Sequence, residues 1–206
     1  MKACKPCRNA VLACALCAFA LPATAAEYPG LEGDIVKELR FQDKSGENAV
    51  VLTEREKIRE QEGSSLWSKD IRAYRYRLQG DAASQAWQIH DYVHDCETSV
   101  TAEFLQDEIA ITDLDDNGQS EIWVPYLIRC AGDVSPSTMK IIMYEGQKKH
   151  ALRGRNLLPS MAGYTGEPGE GEYRADAAFQ KAKPQIRKFG DLLWQRALKA
   201  SLQGQQ

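Results

Sequence analysis

The feature that most constrains this chain is a short, alternating apolar pattern from Asp34 to about Arg153, rich in β-branched and aromatic residues and broken by turn-forming clusters. Side chains on a strand alternate between two faces, so this pattern calls for half-buried sheet, and closely spaced turns call for antiparallel neighbours. It predicts strands over Ile35 to Phe41, Ala49 to Thr53, Ile71 to Leu78, Trp87 to Val93, Ile109 to Thr112, Glu121 to Ile128, Met139 to Tyr144 and His150 to Arg153. Turn chemistry agrees: the run from Asp43 to Asn48 joins the first pair, Gly80-Asp81 opens the connection before Trp87, and Glu145-Gly146-Gln147 closes a hairpin. After Leu158, a Gly-rich stretch from Gly163 to Gly171 leads to a helix over about residues 184–202. Pro184 suits its first turn, Ile186, Phe189, Leu193, Ala197 and Ala200 recur at helical spacing, and Leu192, Trp194 and Leu198 widen the stripe. The expected fold is mainly β (α+β): an antiparallel meander or sandwich-like sheet with the C-terminal helix packed on it.

The N-terminus reads differently. Lys2, Lys5 and Arg8 precede an apolar run from Ala10 to Leu21, and Ala23-Thr24-Ala25 precedes a polar start. This is the pattern of a signal peptide over residues 1–25, cleaved after Ala25 or Ala26, with 26–206 as a single exported β-rich domain. Val11-Leu12-Ala13-Cys14 loosely resembles a lipobox, but only four apolar residues lead to Cys14. No run reaches the roughly 20 apolar residues of a membrane span, so no transmembrane segment is expected. The 43% apolar content is that of a chain able to build a core.

The chain has 26 Lys+Arg and 29 Asp+Glu; loss of the three basic residues with the signal leaves 23 against 29, a net charge of −6. That argues against a nucleic-acid partner. Of the six cysteines, Cys4, Cys7, Cys14 and Cys17 lie in the signal, so their CxxC spacings promise no metal or redox site. Cys96 and Cys130 remain, and an oxidising compartment predicts a disulfide between them. A paired Cys96 offers no thiolate, although His94 lies two residues away.

The sharpest chemical signal is Asp113-Leu114-Asp115-Asp116-Asn117-Gly118-Gln119-Ser120-Glu121, between two expected strands. Asp113, Asp115, Asn117, Glu121 and the backbone carbonyl of Gln119 offer oxygens to a structural Ca²⁺, which takes six to eight at roughly 2.3 to 2.6 Å. An EF-hand would need its bidentate Glu where Val124 stands, and the flanks read as strands; over these nine residues the loop is closer to the calcium loops of integrin-like strand-loop-strand repeats. The other reading is an Asx-rich hairpin turn without metal.

His90-Asp91-Tyr92-Val93-His94 imitates H-E-x-x-H, but that zinc chemistry needs a helix. On a strand the two rings would stand roughly 13 Å apart. Lys148, Lys149, His150, Arg153 and Arg155 read as a solvated hairpin face, or as a contact for an anionic glycan or phosphate.

From Trp87 to Gly154 the chain resembles a family of exported bacterial proteins labelled surface polysaccharide biosynthesis proteins. The likeness rests on Trp87 to Val93 leading to Cys96, the Ile111 to Gly118 loop with Glu121, Cys130 to Pro136, and Met139 to Gly146 followed by Lys149 and Ala151 to Gly154, with Phe189 and Leu193-Trp194 in the helix. It implies an envelope location, a part in polysaccharide production or display, and envelope polysaccharide or protein as partner; it carries over no catalytic residue. The expected function is that of a periplasmic or surface-associated, non-enzymatic protein. Two alternatives stand beside it: a glycan-acting hydrolase or transferase using carboxylates among Asp91, Asp95, Asp113 and Asp133, and a protein that pairs through an exposed sheet edge.

Overall fold

The computed structural model describes residues 27–61, 63–158 and 168–203. The expected signal segment, its cysteines and all but the end of the Gly-rich stretch lie outside the described residues. The fold is mainly β, as expected, with two antiparallel sheets. Sheet A is a meander of β1 (Asp34–Asp43), β2 (Gly46–Gln61), β3 (Ser64–Gln79) and β4 (Ala82–Cys96), in sequence order. Sheet B comprises β5 (Ser99–Phe104), β6 (Ala110–Thr112), β7 (Glu121–Ala131), β8 (Thr138–Glu145), β9 (Lys148–Arg155) and β10 (Tyr173–Ala175), in the order β10-β9-β8-β7-β5. β6 also pairs with β7, beyond the end of β5. Two helices follow, α1 (Ala177–Gln180) and α2 (Pro184–Gln203).

The layers explain the sequence pattern. Val50, Leu52, Ile71, Ala73, Trp87 and Ile89 of sheet A face Phe104, Ile122, Val124, Tyr126 and Ile142 of sheet B. The opposite face of sheet B sets Trp123, Leu127, Met139, Ile141, Met143 and Leu152 against α2, through Ile186, Leu193, Trp194, Ala197 and Leu198. Sheet B is covered on both faces, so β7 reads as an almost continuous apolar run instead of an alternating one. Pro125 sits within it at no cost to the ladder. Its carbonyl accepts from Leu105 N at 3.0 Å, on the side where β5 has ended, so the N–H that proline lacks would have had no strand to meet. The outer face of sheet A is partly covered by the N-terminal segment, through Tyr28 and Leu31 over Tyr74 and Tyr76.

α2 begins at Pro184 as expected, but Leu192 is exposed and does not widen its apolar stripe. The helix packs closely on α1 because residue 190 is glycine: a Cβ there would lie 2.4 Å from Phe179 Cζ, and 3.4 Å from Trp123 of β7.

Three differences from the expected strands have physical causes. β2 and β3 pair far beyond Thr53 and Ile71, to Gln61↔Ser64, and form a projecting arm. Leu66 is its one buried apolar side chain before Ile71, so it shows no apolar alternation, and ladder bonds and charge pairs such as Lys69–Glu54 at 2.9 Å support it. β5 was not expected, although Val100, Ala102 and Phe104 alternate; three such positions are a weak signal. His150 is not part of a solvated face: β9 alternation turns it inward, where it is 1% exposed and neither ring nitrogen has a hydrogen-bond partner.

The disulfide joins Cys96, at the end of β4, to Cys130 on β7, with Cα atoms 5.8 Å apart, and so ties sheet A to sheet B. For a separation of 34 residues, replacing both cysteines by alanine is expected to cost about 4 kcal/mol on chain-entropy grounds. Urea unfolding of the double variant measures it, and an unchanged midpoint refutes it.

Burial, with Lys148 adding, pushes the His150 pKa below its ordinary value, against the opposing charges of Asp176 and Glu145. The unfolded chain therefore takes up this proton more readily than the folded one. The contribution to stability is complete above about pH 6.5 and is lost as pH falls through that value, at up to about 1.4 kcal/mol per unit. The stability difference between wild type and His150→Leu should shift progressively in favour of the variant as pH falls from about 7 to 5, by no more than about 1.4 kcal/mol per unit; parallel pH profiles would show that His150 does not titrate differently on folding.

Candidate metal centre

The loop between β6 and β7 folds on its own hydrogen bonds. Asp113 Oδ1 accepts from Asn117 N at 3.0 Å and its Oδ2 from Gly118 N at 2.9 Å, while Asn117 Oδ1 accepts from Gln119 N at 2.7 Å. These Asx contacts bend the chain twice, through Asp116 (φ 54°) and Gly118 (φ 78°), and glycine enters the second conformation without strain. The result brings carboxylate oxygens of Asp113, Asp115 and Glu121 within 4.8 Å of one another, a group that could hold a metal ion. Asp113 is exposed, and Glu121 is fully buried.

Glu121 opens β7 and points back into the loop. Its Oε2 accepts from Thr112 Oγ1 at 2.7 Å and Leu114 N at 2.9 Å. Burial nevertheless pushes its pKa up, and the charges of Asp115 and Glu145 add to the rise against those two donors. Asp115 is held below the usual carboxylate range by Lys183, whose Nζ lies 2.7 Å from its Oδ2. The loop thus gathers more negative charge than its own hydrogen bonds neutralise, and an ammonium from just before α2 supplies part of the balance.

Of the five ligands expected from sequence, the three carboxylates converge. The Asn117 side chain is engaged elsewhere: Oδ1 accepts from Gln119 N, and Nδ2 donates to Glu145 Oε1 at 2.7 Å. Glu145 and Lys183 belong to this site and were not predicted from sequence, since they approach from β8 and from the segment before α2.

Asp43 was missed as well. The β1–β2 turn docks onto the loop: Lys44 N donates to Gly118 O at 2.7 Å, and Ser120 N donates to Asp43 Oδ2 at 3.2 Å. The same Asp43 oxygen accepts from Arg75 NH2 at 2.9 Å, in a pair whose side chains are both 2% exposed. Burial works against the Asp43 charge, but Ser45, the Ser120 amide and Arg75 hold its pKa below the usual carboxylate range. Asn48 completes the network, accepting from Arg75 Nε at 3.2 Å.

The other candidate groups have separate partners. Asp91 accepts from Tyr126 OH at 3.0 Å and Lys140 Nζ at 2.5 Å between the sheets. Asp95 meets Arg59 at 2.9 Å, and Asp133 accepts from Ser135 Oγ at 2.7 Å. His90 and His94 stay on a strand, as expected, but their rings do not stand apart: both Nε2 atoms turn to one carboxylate, Asp70, at 2.7 and 3.4 Å. No helix among the described residues is long and apolar enough to cross a membrane. No protein-family model, curated protein or solved structure matches the chain.

Asp43→Ala would leave the Arg75 guanidinium buried without a counter-charge and remove the Ser120 contact between the loop and sheet A. Its expected cost is about 3 to 5 kcal/mol, and Asp43→Ala with Arg75→Met should lose less than the single change. Urea denaturation of the three proteins decides; a single-variant loss below about 1 kcal/mol refutes the burial argument.

Proposed function

We propose that the chain is a non-enzymatic, exported domain of the cell envelope in which the loop from Asp113 to Glu121 is a structural Ca²⁺ site. The observation that carries this reading is the convergence of Asp113, Asp115 and Glu121 in a loop that touches both sheets and the segment before α2. A hard cation among those oxygens would replace mutual repulsion by a clamp, and would fasten the place where the layers meet. Export is supported by the cysteine distribution: four in the basic-apolar N-terminal run, the remaining two in one disulfide. The family likeness makes envelope polysaccharide, or a protein that handles it, the partner class. The hydrolase alternative needs two carboxylates facing one cleft roughly 5 to 9 Å apart; Asp91, Asp95, Asp113 and Asp133 are each engaged with a partner of their own.

The ion must displace Lys183 from Asp115, which sets a second signature beside simple stabilisation. With Ca²⁺ at about 100 times its dissociation constant, stability should rise by about 2.7 kcal/mol over chelator-treated protein. Asp115→Ala should abolish the gain, and Lys183→Met should tighten Ca²⁺ binding several-fold. Thermal unfolding with chelator and with excess Ca²⁺ reads all three; an unchanged wild-type midpoint returns the loop to an acidic turn held by Lys183.

A further inference from the structure

The outer face of sheet A is open beyond Glu32, the last N-terminal side chain to reach it, which meets Arg55 and Arg72. An open depression of about 400 Å³ lies there, lined by Arg55, Lys57, Arg72, Ser68, His90 and His94 and by the acidic Asp70 and Asp95. Strand alternation places Arg55, Lys57 and Arg59 on this one face of β2. At about 6.8 Å between alternate residues they form a row roughly 14 Å long.

Arg72 is the unusual member. It is 8% exposed, its Nε is buried without a hydrogen-bond partner, and its acidic contacts are loose, at 3.4 Å to Glu32 and 3.4 Å to Asp70. A guanidinium carries five donors in a planar fork suited to oxyanions. Burying one with its hydrogen-bonding capacity so little used is costly unless something else completes it. Asp70 does not complete it: one oxygen lies 2.7 Å from His90 Nε2, the other 3.4 Å from His94 Nε2. Glu32 is shared with Arg55, 3.3 Å away.

The charges facing the depression are Arg55, Lys57, Arg59 and Arg72 against Glu32, Asp70 and Asp95, a net of +1 on a chain whose formal charge is −3. Tyr92, between His90 and His94 on β4, stacks on the His94 ring at 4.1 Å.

We propose that this depression is a binding site for an anionic group, a carboxylate or phosphate, with Arg72 as the buried donor and Arg55 and Lys57 as cations at the rim. It is independent of the acidic loop. The anion can be a free small ion or an acidic group on a chain laid along the β2 row, so both are tested. Full-chain protein is titrated calorimetrically at low ionic strength and neutral pH with inorganic phosphate and with a galacturonate oligomer. Saturable binding of either probe is expected. Arg72→Gln should weaken it at least about tenfold, and the exposed change Lys57→Glu several-fold. Tighter binding of the oligomer assigns an acidic chain, and equal or tighter binding of phosphate a small anion. Absence of saturable binding by both probes overturns the proposal, as does binding unaffected by Lys57→Glu, which decides the matter if Arg72→Gln does not fold.

Discussion

The arrangement turns on the buried pair of Asp43 and Arg75. Arg75 rises from β3 into a site where burial pulls its pKa down, and only Asp43, Asn48, Ser45 and the Phe41 ring at 5.5 Å compensate for the lost water. A buried guanidinium without such partners would cost several kcal/mol, so the β1–β2 turn is held in one conformation. The Asp43 oxygen that binds Arg75 also receives the Ser120 amide, and this passes the constraint from sheet A to the loop that opens β7. The central strand of sheet B therefore starts from a point set by a pair on the other sheet.

Sheet B transmits that position to the helix. Trp123 packs at an angle against Phe179 and Phe189, and its indole N–H donates to Thr112 Oγ1 at 3.0 Å; Thr112 in turn donates to Glu121. A single hydroxyl thus links the helix-facing core to the carboxylate at the floor of the acidic loop. Lys183 closes the circuit from the other side, since the chain must pass over Asp115 before α2 begins. A cation held there would act on stability more than on chemistry, because every group it touches already anchors a layer.

The charge distribution separates two regions of opposite character. Carboxylates gather where the sheets and helix meet, and cations line the open outer face of the arm. Both are groups of charges with incomplete compensation, which is the character of sites that bind ions or charged partners.

By itself the sequence determined the strand cores, the principal turns, the helix start at Pro184, the cysteine pair and the three converging carboxylates. All of these follow from short-range rules: two-residue alternation, proline and glycine geometry, and oxygen ligands at alternate positions in a tight turn. Only the tertiary structure decided the rest. The arm carries only Leu66 buried and Trp67 half-buried, too little alternation to announce it, and ladder bonds and charge pairs extend it. Asp43 lies 77 residues from Ser120, and Asp70 lies 20 and 24 residues from the histidines it joins. Glu145 and Lys183 reach the loop from other elements, and His150 is a core residue within a basic run. Contacts of this kind depend on which strands become neighbours and how far each extends, and a charged side chain carries no local mark of the partner that folding will bring to it.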